Sequence, residues 1–349
     1  MHRSARHVAA PASSSKPRPP GSLKILITGA AGFVGQIVAE ALLNDEQGRY
    51  EVLLADIIEP PLPKGVKWPD KAMLVQADLL KQADSVVESD LDVAFVFHGI
   101  MSSGAEADFE LGMSVNFDST RALLDTLRRT APGVKVIYTS TQAVYGGVDT
   151  IPLPVTEAVR ATPQTSYGCE KMMCEYLINE YTRRGFINGF IFRLPTVSVR
   201  AGKPTAAASS FLSGIIREPM QGQECVIPLT DRGWSHWLTS PRVLLRNLLH
   251  ALDLERDALP DYDRAVNLPG LGVTVQDMMD SLARVGGEDK LRLLREEDDP
   301  AIRPILDSWP AHFDNTKALG LGFERDTSFD DIVRDFKDGL EKQKSSSSG

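Results

Sequence analysis

Residues 24–35 read KILITGAAGFVG, and this stretch decides the fold. Lys24–Thr28 is apolar and β-rich, Gly29 interrupts it, and Phe33–Leu43 then carries apolar residues at helical spacing. Glycine at 29 permits a tight turn. Glycine at 32 lets backbone approach a pyrophosphate, and glycine at 35 lets helix and strand pack closely. Amide groups at the opening of the helix, aided by its dipole, bind the anion. Phe33 and Val34 lie in the same turn as further contacts. A glycine triplet alone is a weak signal; strand, turn and helix in this order make it a dinucleotide-binding one.

Outward from this unit, strand-like and helix-like runs alternate. Glu51–Asp56, Met73–Ala77, Val93–His98, Val134–Ser140 and Phe190–Leu194 are short apolar runs, with the helix-periodic segments Asn116–Thr130 and Ser166–Tyr181 between them. Buried parallel strands read this way because helices cover both faces of the sheet. The alternation predicts an α/β fold, a Rossmann-type doubly wound parallel sheet with a smaller C-terminal substrate lobe. After Leu194 the pattern loosens. Pro195–Pro204 reads as loop, Ala206–Ile216 as helix and Glu224–Leu229 as strand. Ser240-Pro241 reads as the cap of a helix over Arg242–Leu252. Ala265–Leu268 reads as a last sheet strand, and Thr274 as the cap of a helix reaching Ala283. The expected organisation is a disordered tail over residues 1–22, a dinucleotide-binding core over 23–195, and a substrate lobe over 196–343. Residues 224–229 and 264–268 would return strands to the core, and 344–349 would form a second disordered tail.

The 349 residues are 42% hydrophobic and 24% charged, enough to fill a sizeable core. A net charge of −9, with no basic stripe, argues against nucleic acid. The longest apolar runs are strand-sized, so no membrane span is expected. Three cysteines without ligand spacing, and six scattered histidines, point away from disulfides and metal sites. A cytoplasmic protein follows. The basic, acid-free residues 1–22 keep a mitochondrial targeting segment as the alternative.

Asp56 ends the second strand at the offset where an acid binds ribose hydroxyls. Its carboxylate would repel a 2′-phosphate, and Ile57-Ile58 supply no cation to receive one, so NAD is expected over NADP. Asp78 and Leu79 follow the third strand, facing the adenine. Tyr167 and Lys171 are four apart on a predicted helix and so share one face. A tyrosine is a poor base at its ordinary pKa of about 10, and a neighbouring ammonium would favour its phenolate. Thr139–Gly146 leaves the end of a strand, where open α/β sheets bind ligands.

Taken together, these motifs resemble the extended short-chain dehydrogenase/reductase (NAD-dependent epimerase/dehydratase) family. The carrying residues are Gly29, Gly32 and Gly35, then Ser140-Thr141 before Val144-Tyr145-Gly146, and Tyr167 with Lys171. The resemblance implies catalysis by Tyr167, Lys171 and Thr141. It also implies cofactor contacts from Asn116, in a variant of the family's N-x-x-G-T helix start, and from Leu194. Gln142-Ala143 after Thr141 lacks the Asp-Glu pair of the dehydratases. Arg193–Arg200 lacks the asparagine of the nucleotide-sugar epimerases.

Pro163–Gly168, Arg193–Thr196, Val199–Arg200 and Trp237–Pro241 are most similar to the D-erythronate dehydrogenase group. That resemblance implies NAD-dependent oxidation of a C2 hydroxyl in a small sugar acid. A small hydroxy acid needs a cation, for which Arg200 and Lys203 stand in the loop expected over the site. Ser102, Gln142, Thr196 and Ser198 are expected to bind substrate hydroxyls, with Trp237 as a wall and His236 as a neighbour. Other NAD-linked ketoreductases or epimerases, and a non-catalytic NAD-binding regulator, stay open at this point. The partner is a small hydroxy or keto acid, and the resemblance adds a homodimer.

Overall fold

The structure, a computed structural model, describes residues 21–147, 149–202 and 207–347. Lys203, residues 1–20 of the expected N-terminal tail and residues 348–349 lie outside them. The first six strands are β1 (Leu23–Thr28), β2 (Tyr50–Asp56), β3 (Ala72–Gln76), β4 (Val93–Val96), β5 (Lys135–Thr141) and β6 (Asn188–Leu194). They are followed by β7 (Thr196–Val197), β8 (Cys225–Ile227), β9 (Ser235–Thr239), β10 (Ala265–Asn267), β11 (Leu271–Thr274) and β12 (Leu294–Glu296). Seven of them form one sheet in the order β10-β6-β5-β4-β1-β2-β3, parallel throughout. The order reverses direction at β1 and β4, which opens a crevice at their carboxyl ends.

Period-two alternation sends neighbouring β1 side chains to opposite cores. Ile25 and Ile27 pack with Val38 and Leu42 of the Phe33–Leu43 helix, whereas Leu26 packs with Leu123 and Leu127 of the Ser119–Thr130 helix. The phosphate-turn helix has the bounds its periodicity predicts. The helix expected from Asn116 starts regularly only at Ser119, after a wide π turn over Met113–Asp118.

The second half builds a third cluster around Phe211–Met220, Val275–Ser281 and the start of Phe329–Ser347. Ser240 caps Pro241–His250 by accepting from the Val243 N–H, and Thr274 forms a full capping box. Ala265–Asn267 reaches the sheet edge as expected. Residues 224–229 do not return to that sheet: β8 pairs with β12 in a separate two-stranded sheet. Pro195–Pro204 is not all loop, because β7 pairs with β9. The Pro241–His250 helix also packs into the cluster beneath β1 through Leu244 and Leu248, so part of 196–343 belongs to the main sheet's core. The expected 344–349 tail begins inside a helix, since Phe329–Ser347 is continuous.

Candidate active site

A cavity of about 670 Å³ lies along the carboxyl ends of the central strands. Its lining begins with Gly29, Gly32, Phe33, Val34 and Gly35. Gly29 has φ +67°, and a Cβ there would stand 2.7 Å from the His98 backbone nitrogen. A Cβ on Gly35 would stand 2.5 Å from the Gly29 carbonyl oxygen, so the helix can approach the turn only as glycine. The helix N-terminus at Gly32 has no side-chain cap, which leaves its amides for a ligand. The Asp56 carboxylate accepts the Ala31 N–H at 2.9 Å and lines the cavity, with exposed Ile57 beside it. Asp78 and Leu79 also line it, but Asp78 is occupied in capping Leu80 and pairing with Lys81 at 2.9 Å. This glycine cradle, an uncapped helix start and an acid at the second strand end fit a dinucleotide.

Tyr167, Lys171 and Thr141 line the same cavity. Thr165 opens the Ser166–Arg183 helix by accepting the Gly168 N–H at 3.2 Å, which sets the face that carries Tyr167 and Lys171. Lys171 is buried. Its Nζ donates to the Thr139 carbonyl at 3.1 Å and lies 5.8 Å from the Tyr167 ring centroid. Desolvation pulls the lysine down to about 8. Thr141 Oγ1 accepts the Ala143 N–H at 3.1 Å. The expected lowering of the tyrosine pKa is absent in the protein alone: burial pushes Tyr167 well above its ordinary range, and Glu170 adds to the rise. Desolvation is the larger of these two causes.

Behind this set lies a network that sequence reasoning missed. Arg193 donates to Glu175 at 2.6 and 2.9 Å, and both are buried. Ser140 donates to the same carboxylate, and Arg193 also donates to the Tyr145 hydroxyl, which donates to Asn267 at 3.0 Å. These bonds fix the carboxyl ends of β5, β6 and β10 against the Ser166–Arg183 helix. The available signal was Arg193 inside an apolar strand run, with Glu175 one helical turn after Lys171.

Of the expected substrate contacts, Ser102, Gln142, Thr196 and Arg200 line the cavity, as does the expected cofactor contact Leu194. Three expected contacts do not line it. Ser198 is fully buried and donates to the Leu212 carbonyl at 2.8 Å. Trp237 points into a separate core with Val144, Tyr145 and Phe313, because it alternates with His236 along β9. Asn116 lies beneath the lining. Its amide clamps Ile100 through N–H and C=O and donates to Glu170 at 2.6 Å, so it shapes the loop after β4. His98 lines the cavity but is tied to Thr28 and Thr120, and burial pushes it down to about 3. Met101 lines the cavity too. Trp309, which no motif marked, also contributes to the lining.

Among the described residues no cluster of His, Cys, Asp and Glu could hold a metal ion, and no helix is long and apolar enough to cross a membrane.

A model of the NAD dependent epimerase/dehydratase family matches residues 25–240. A D-erythronate dehydrogenase from Cupriavidus necator is 40% identical over 92% of this chain and 100% of its own length. One from Haemophilus influenzae is 38% identical over 90% of this chain and 98% of its own. A solved structure described as a nucleoside-diphosphate-sugar epimerase from Agrobacterium tumefaciens superimposes with TM-score 0.83 at 35% identity, covering 93% of this chain and 96% of that one.

Proposed function

The chain belongs to the NAD dependent epimerase/dehydratase family, and from that premise we propose that it oxidises the C2 hydroxyl of a small sugar acid, such as D-erythronate, to the 2-keto acid. The observation that carries the reading is one cavity shared by the glycine turn, the Thr141/Tyr167/Lys171 set and the Arg200 cation. The relatives that share about 40% identity over nearly the whole chain are dehydrogenases of this class by name. Bound NAD would supply the hydride acceptor, and Asp56 beside Ile57 favours it over NADP, because a 2′-phosphate would meet a carboxylate and no cation.

Tyr167 takes the proton of the substrate hydroxyl. Its high resting pKa means that it does so only once a positive charge sits beside it, and Lys171 supplies part of that charge from the same helical face. Lys171 also holds the cofactor's ribose. Thr141 orients the alcohol and then the carbonyl. Arg200 receives the carboxylate: among the described residues its Nε has no hydrogen-bond partner, and the charge of a second cation, Arg217, acts on it. Residues 23–195 serve mainly the cofactor and the later segments mainly the substrate. The protein acts in the cytoplasm as a homodimer.

Tyr167→Phe abolishes turnover and leaves NADH binding intact; unchanged turnover sinks the assignment. A panel of D-erythronate, L-threonate and related acids, run with NAD and NADP side by side, tests the substrate class. The Agrobacterium structure favours a second reading, epimerisation of a nucleotide sugar. Conversion of a UDP-sugar, with no oxidation of any sugar acid, would select it.

A further inference from the structure

One large ring on the lobe side of the cavity has no part in hydride transfer. Trp309 lines the cavity and is buried in the cluster built by the second half of the chain. Its ring centroid lies 5.4 Å from that of His236, which stacks on Trp234 at 5.2 Å. His236 Nε2 lies 2.7 Å from Thr196 Oγ1 and 2.8 Å from the Gln142 amide nitrogen, and Gln142 follows Thr141 as the chain leaves β5. Tyr167 packs against the same cluster as Trp309. The indole therefore stands on the lobe side of the Thr141/Tyr167/Lys171 set, with the glycine turn and Asp56 on the other side.

A wall selects by size only if it holds its place. Among the described residues the Trp309 indole N–H has no acceptor, so packing and backbone set the ring. Before it, the Trp309 amide donates to the Leu306 carbonyl at 3.3 Å, and the Ser308 hydroxyl donates to the Ile305 carbonyl at 2.6 Å. After it, Val155 donates to the His312 carbonyl at 2.8 Å and accepts from the Asp314 N–H at 2.9 Å. A Cβ on Gly147 would stand 2.6 Å from the Asp307 carbonyl oxygen, so the loop beyond β5 also lies against this segment. Behind the indole, His236, Trp234 and Phe211 follow one another as a file of rings. A ring pinned on both sides and backed in this way yields little to a ligand.

We propose that Trp309 is the end wall of the substrate site and sets the chain length of the acid the protein accepts. The proposal rests on the dehydrogenase reading and adds a size limit to it. One cavity of about 670 Å³ has to take a dinucleotide and a substrate together. Pockets of about 300–1,000 Å³ ordinarily hold a single drug-sized ligand, so the space left for the substrate is small. With the carboxylate on Arg200 and C2 at Tyr167, carbons added beyond C2 need room on the lobe side. Trp309 is the largest apolar side chain of the lining there. A longer acid would press its extra hydroxyls against an indole that offers them no hydrogen bond in exchange for water, and burying them unpaired is costly.

The test compares D-erythronate with D-ribonate and D-allonate, which keep its configuration at C2 and C3 and add one and two carbons. The wild type should use D-erythronate at least about 10-fold better, by kcat/KM, than either longer acid. Trp309→Ala should shrink that ratio about 10-fold or more, and Trp309→Phe, which keeps a ring, should retain most of it. Trp309→Leu, a smaller excision, should shrink the ratio for D-ribonate and replaces Trp309→Ala if that variant does not fold. Each ratio is taken within one variant, so general damage to the site cancels. A wild type that uses the three acids alike overturns the wall, as does an unchanged ratio in Trp309→Ala and Trp309→Leu. Thermal protection of the NADH complex separates the wall from the dehydrogenase reading. D-Erythronate but not D-allonate should protect the wild type, and both should protect Trp309→Ala, even if no acid is oxidised. Protection of the wild type by neither acid, or by both equally, overturns the wall.

Discussion

Replacing Glu175 by leucine should destabilise the protein far more than its distance from solvent chemistry suggests. Glu175 is 1% exposed and Arg193 6% exposed. The variant removes Arg193's contacts at 2.6 and 2.9 Å and the acceptor of the Ser140 hydroxyl, and leaves the guanidinium buried. Breaking one side of such a pair costs about 3–5 kcal/mol. For 349 residues, an unfolding entropy of about 2 cal/mol/K per residue turns that into a fall in melting temperature of roughly 4–7 °C. The double variant Glu175→Leu/Arg193→Met removes both charges and should regain most of the loss, since apolar replacement of a buried pair is often nearly neutral. Urea unfolding of the two single variants and the double variant measures the coupling. If Glu175→Leu melts with the wild type, or the double variant is weaker than either single one, the argument from buried charge is wrong.

Lys171→Met should stabilise the protein near neutral pH while abolishing turnover. The folded lysine lies at about 8, below its unfolded value, so its penalty is fully present below that pH and fades as pH rises through the unfolded value. The gain is about 3 kcal/mol at most; equal gains at neutral pH and near pH 10 in thermal melts would argue against it. Asp56→Ala combined with Ile57→Arg should shift cofactor preference toward NADP by about 10-fold or more, read as the ratio of Kd values. Gly35→Ala, whose Cβ would stand 2.5 Å from the Gly29 oxygen, should weaken NADH binding by a similar factor in a fluorescence titration.

The phosphate turn was legible to the residue because its glycines are demanded by backbone geometry, and Phe33–Leu43 begins where the turn ends. The Ser240 and Thr274 caps were legible for the same local reason. What sequence could not supply was partnership. Residues 224–229 look like a sheet strand whichever strand they pair with, and their partner, β12, lies about seventy residues on. Face was also hidden: on β9, alternation makes one of His236 and Trp237 the neighbour of the cavity lining, and the larger ring was the wrong choice. Trp309 was invisible because a lone tryptophan after an irregular segment carries no motif. The tyrosine's raised pKa is a property of burial, which no four-residue spacing reports.

Gln142, Thr196 and His236 meet at 2.7 to 3.2 Å, and their meeting has a thermodynamic consequence. Gln142 belongs to the β5 exit, Thr196 and His236 to a different sheet, and Trp309 to the segment after Arg303–Asp307. A ligand held by these segments is bound only by the fully assembled chain, so its binding energy counts toward global stability. At one hundred times its Kd a sugar acid would add about 2.7 kcal/mol. Stability in the cell would then rise and fall with supply of the substrate, and a protease would see the starved enzyme first.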